Sequence, residues 1–155
     1  MAILGIDASN KVADTLVYGL DTLNRINPLM RDYVETMQTI ANEMRNPAHS
    51  AHMRQMWGQE LDSLIKGMKH TLRSAKGMSI SENSIFALKT QLFYAEALNA
   101  LHLVSIDVVN SDENNGWFLN RWAAVLKWES KALEATATLA SLMNGEKGRL
   151  GYSRP

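Results

Sequence analysis

Residues 12–44, VADTLVYGLDTLNRINPLMRDYVETMQTIANEM, decide the fold. Stepping alternately by four and three from Val12 reaches Leu16, Gly19, Leu23, Ile26, Met30, Tyr33, Met37, Ile40 and Met44. Every stop is apolar except Gly19, and the residues between are largely Asp, Asn, Thr, Arg, Glu and Gln. That spacing keeps one narrow stripe on one side of a long helix, the pattern of a helix that packs along its length against others. Asn27-Pro28 interrupts the stretch. Proline inside a helix removes a backbone hydrogen bond and clashes with the preceding turn, at about 3 kcal/mol. Because the stripe holds register from Ile26 to Met30, the first expectation is one kinked helix over 10–45. The second is a break with Pro28 at a first helical position.

Downstream, Asn46-Pro47 falls where the stripe stops, so Asn46 is expected to cap a second helix that Pro47 opens. This helix, over 47–76, carries Trp57, Leu61, Leu64, Met68, Leu72 and Ala75 on one face and ends at Gly77. Gly58 and Gly67 each cost about 1 kcal/mol relative to Ala inside it and are expected where another backbone comes close. A third helix, 81–110, starts at Ser79 or Ser81. Its apolar face is wide, from Ile85 through Leu92 to Val104, which predicts the most buried position. The β-branched run Leu103 to Val109 has no partner strand and is expected to stay helical. Ser111 to Gly116 is a polar turn. A fourth helix, 116–144, is expected to turn Phe118, Trp122, Val125, Leu126, Leu133, Ala137 and Ala140 inward and to stop at Asn144-Gly145.

The fold expected is all-α: an antiparallel up-down bundle of four long helices joined by short turns. A short N-terminal arm precedes it. The domain spans 1–145, and 146–155 form an extended C-terminal tail. At 155 residues one such domain buries roughly 70% of the surface its unfolded chain would expose. No run approaches the ~20 apolar residues of a membrane-spanning helix, and MAILGIDASNK has neither the basic start nor the apolar length of a secretory signal. These features favour a cytoplasmic or virion-associated protein.

Chemistry finds few residues to use. With no cysteine in the chain, thiol nucleophiles, thiolate metal sites and disulfides are excluded. Carboxylate-bridged metal bundles need Glu-x-x-His on two helices, and that motif is absent. His49-x-x-His52 has a ligand-like spacing but no acidic or His partner nearby, so both are expected in solvent. His102 reads as a hydrogen-bonded core or boundary histidine. Neither a Gly-x-Ser-x-Gly elbow nor a phosphate-binding glycine loop occurs. The chain is accordingly expected not to be an enzyme and to need no cofactor or metal.

Surface signals carry what remains. Lys66, Lys69, His70, Arg73 and Lys76 fall toward one side of the second helix. Net charge alternates along the chain at −2, +3, −4 and +3 for residues 1–45, 46–80, 81–116 and 117–155, and sums to zero. Pairing between neighbouring helices or subunits therefore explains the basic stripe better than an external polyanion, and the zero net charge removes a generic nucleic-acid binder's long-range field. Trp117, Trp122 and Trp128 crowd one helix at steps that cannot share a face, so at least one is expected at a boundary or interface. Tyr152, Lys147, Arg149 and Arg154 of the tail are further docking candidates. The functional expectation is a non-enzymatic helical structural or assembly protein, a homo-oligomer or part of a larger complex such as a virion internal or ejection component. A membrane-associating amphipathic bundle is the alternative, and a nucleic-acid or adaptor module using the basic face is a third.

Overall fold

The computed structural model describes residues 6–28, 31–45, 51–109 and 116–149. These form five helices: α1 (Ile6–Ile26), α2 (Arg31–Met44), α3 (Ala51–Lys76), α4 (Glu82–Val109) and α5 (Gly116–Arg149). There is no strand among the described residues, and the helices pack as in a bundle.

The expected single helix over 10–45 is two helices that fold back on each other. The Asn27 N–H still donates to the Leu23 carbonyl at 2.9 Å. Pro28 then has no N–H to give, and the residue before a proline is pushed out of the α region, so α1 stops at Ile26. Beyond it α2 returns along α1. The Gln38 amide donates to the Val17 carbonyl at 3.3 Å, and the Arg45 guanidinium reaches Asp14. Both halves of the stripe face inward, Val12, Leu16 and Leu23 from one helix and Met37, Ile40 and Met44 from the other. Tyr33 is the miss: its stripe position is 45% exposed.

Two other ends differ from expectation. Helix α1 begins at Ile6, inside the expected arm. Helix α5 runs through Asn144-Gly145 to Arg149, so 146–149 are helix rather than tail. Glycine terminates a helix only when it adopts the left-handed conformation; otherwise it costs about 1 kcal/mol and the good helix formers Glu146, Lys147 and Arg149 carry on. Residues 46–50, 110–115 and 150–155 lie outside the described residues, and with them the expected Asn46 cap, the polar turn, His49, Tyr152 and Arg154.

The remaining boundaries follow local chemistry. At α4, Ser81 is the cap: its Oγ accepts the Ser84 N–H at 3.2 Å, an arrangement contributing about 1 kcal/mol. At the end of α3 the Gly77 N–H turns to the Ser74 carbonyl at 3.2 Å. Thr15, Thr36, Thr39 and Thr138 each donate to the carbonyl four residues back, which reconciles them with helix interiors.

Helix α4 packs against each of the other four, which explains its wide apolar face; α3 rests mainly on α4. At the centre Tyr94 is fully buried. The Thr136 hydroxyl donates to the Ala132 carbonyl at 2.8 Å, so at 2.8 Å it accepts the Tyr94 O–H. Burial pushes the Tyr94 phenol up to about 12, the hydrogen bond to Thr136 partly opposing. On its other side the phenol fills the space above Gly19 of α1. One side chain thus joins three helices.

Candidate functional site

The basic stripe lines neither of the grooves that the described residues form beside Trp57 and beside Phe93. Lys66 pairs with Asp62 at 2.8 Å within α3, both exposed, and that hydrogen bond and charge raise the lysine pKa. Lys69 Nζ lies 3.5 Å from Glu96 on α4, one cross-helix realisation of the alternating charge. His70, Arg73 and Lys76 are exposed with no ion pair among the described residues.

Of the tryptophans on α5, Trp122 lies inward, as expected of its face, and Trp128 at a boundary. Trp122 is 9% exposed and belongs to the core, which corrects its place among interface candidates. Trp128 is half-buried, its ring centroid 6.0 Å from that of Phe93. Lys131 Nζ and Lys127 Nζ stand 4.9 and 5.3 Å from its centroid, so ammonium groups cap the ring. The side chains of Trp117 and Arg149 lie outside the described residues.

A buried polar cluster joins α3 to α4. Arg54 and His102 are each 4% exposed. The Arg54 guanidinium donates to Ser105 Oγ at 3.2 Å and stands 5.8 Å from the Trp57 ring centroid. The Ser105 hydroxyl donates at 2.7 Å to the His102 carbonyl. Its proton is therefore committed to backbone rather than to the imidazole, and the nucleophile–base bond of hydrolytic sites is missing. The expected core placement of His102 holds, but among the described residues neither its Nδ1 nor Arg54 Nε has a hydrogen-bond partner. Burial, and then the Arg54 charge, lower the His102 pKa, so the ring is neutral at physiological pH; burial also lowers that of Arg54. Gly58 makes room for this ring, since a Cβ there would stand 2.8 Å from His102 Nε2. The close neighbour is a side chain, not the backbone expected, and Gly67 faces open space. Arg54 escaped the sequence reading, although it stands three residues before Trp57 and seven before Leu61 on their stripe.

The largest departure lies on α5. Of its buried residues, Phe118, Trp122, Val125, Ala132, Thr136 and Leu139 keep four-three spacing, with Glu129 filling the gap and Ala135 buried beside Thr136. One position further round, by 100°, runs a second apolar stripe in the same rhythm. It comprises Leu119, Ala123, Leu126, Ser130, Leu133 and Ala137, ending at Ala140. Leu119 is 57% and Leu126 46% exposed; Ala123, Ser130 and Ala137 are exposed, and Leu133 and Ala140 are half-buried. This corrects the expectation that Leu126, Leu133, Ala137 and Ala140 are core. Isolated exposed leucines are ordinary; leucines repeating every seven residues among small residues make a seam a second helix can enter.

Neither a protein-family model, nor a curated protein, nor a solved structure matches the chain.

Proposed function

We propose that this protein is a non-enzymatic helical structural subunit that works by assembling with other protein chains, and that the outer face of α5 is its contact surface. The observation that carries the reading is the second stripe, with Leu119 and Leu126 open to solvent in heptad register. Burying a leucine side chain contributes about 1.5–3 kcal/mol, so covering this face supplies a driving force the isolated chain leaves unused. The small side chains at Ala123, Ser130 and Ala137 allow a partner backbone to approach closely. Architecture suits the role: we read the molecule as an antiparallel up-and-down bundle in which the α1–α2 hairpin takes the place of the first long helix. α5 then forms one long side of it.

The test is the native mass of the full chain from micromolar to submillimolar concentration, by light scattering or sedimentation. The expected result is an oligomer that dissociates on dilution and becomes monomeric when Leu119 and Leu126 are both changed to Glu, with helix content unchanged. A strict monomer over the whole range overturns the reading.

A further inference from the structure

We infer that the occupant of the outer α5 face is the same face of a second copy, laid antiparallel about a twofold axis near Lys131. The inference rests on the assembly reading above and adds the partner and its direction. Leu119, Leu126 and Leu133 take one core position of the heptad, and Ala123, Ser130 and Ala137 take the other. Run antiparallel, two of the three leucine layers of one copy meet a small-residue layer of the other, Leu126 facing Ala137 and Leu133 facing Ser130; Ala123 faces Ala140, and Leu119 falls opposite Asn144 at the end of the seam. Large side chains thereby fill the gaps left by small ones along the seam.

Charge selects the direction. Exposed Lys127 and Glu134 lie on the solvent side of the stripe, each following a leucine of the seam. In the antiparallel arrangement Lys127 of one copy comes beside Glu134 of the other, and the twofold axis makes the pair twice. On the opposite border Glu129 then meets Thr136, which carries no charge. A parallel arrangement sets Glu129 beside Glu134 of the other copy, both acidic, and Glu129 is already half-buried. Like charges at such flanking positions specify against that pairing.

Absence of cysteine makes the test clean, because every introduced thiol is the only reactive one. Full-length Ala123→Cys, Ala140→Cys and the double variant are treated with a short thiol–thiol cross-linker. In the antiparallel dimer, like positions lie about 26 Å apart along the axis, at 1.5 Å per residue. The single variants should therefore stay uncoupled while the double variant gives a covalent dimer. Lys127→Glu should weaken association several-fold, and adding Glu134→Lys should restore it. Linkage of both single variants would mean parallel packing and overturn the inference. An oligomer that links in none of the three, or that ignores the charge variants, assembles through another face; the inference then falls while the assembly reading stands. A monomeric native mass would remove both.

Discussion

The hydroxyl of Tyr94 on α4 occupies the space a side chain on Gly19 of α1 would need, closer to that position than van der Waals contact allows. The glycine that breaks the apolar stripe is therefore the socket for the most deeply buried phenol. Gly19→Ala should gain about 1 kcal/mol of helix propensity but lose more through overpacking, about 1–3 kcal/mol. Tyr94→Phe leaves the Thr136 hydroxyl bonded to the Ala132 carbonyl and should cost only about 1 kcal/mol. Combined, the two should cost less than their sum, because removing the hydroxyl relieves part of the clash. Urea midpoints for the four proteins decide this. Additive losses would mean that the two residues do not share the space.

The same stripe shows what periodicity conveys and where it goes blind. Stepping by four and three identified much of the inward face of both α1 and α2, because each helix must turn an apolar face to the core, but it left out the fully buried Leu20 and Val34 and took in the exposed Tyr33. It could not distinguish a straight helix from one folded back at Asn27-Pro28, since both leave Leu23 and Met37 facing inward. On α5 the stripe of Phe118 and Val125 and the stripe of Leu119 and Leu126 lie side by side, and sequence reading merged them. Which one faces in is settled at long range, where Thr136 meets Tyr94. Arg54 was hidden for a related reason. An arginine on an apolar stripe reads as its boundary until the helix carrying Ser105 and His102 is placed over it.

His102 should make stability depend on pH. Its imidazole is held below its ordinary value of about 6.5 by burial and by the facing Arg54 charge. As pH falls through that ordinary value the unfolded chain takes a proton that the folded chain refuses, and unfolding gains. Stability is thus full above about pH 6.5 and declines toward the lowered folded value. Melting temperature should fall between neutral pH and the onset of carboxylate titration, and each His102→Gln value, referred to its own neutral melting temperature, should stay flatter. Parallel curves for the two proteins would mean that the α3–α4 contact does not feel the imidazole's charge.

Glu129 should behave with the opposite sign. It occupies a place in the inner stripe of α5, between Val125 and Ala132, and burial raises its pKa above the usual carboxylate range. In strong acid the carboxyl is neutral in folded and unfolded chains alike and contributes nothing. As pH rises, the unfolded chain ionises first, and the folded chain then carries a charge it solvates poorly. A penalty therefore opens above the ordinary glutamate value of about 4.3 and persists at neutral pH. Glu129→Gln keeps the shape and removes the charge, so its melting temperature should exceed that of the parent at pH 7 and converge with it as the carboxyl becomes protonated. A variant less stable than the parent at pH 7 would show instead that the carboxylate makes a favourable interaction outweighing its burial.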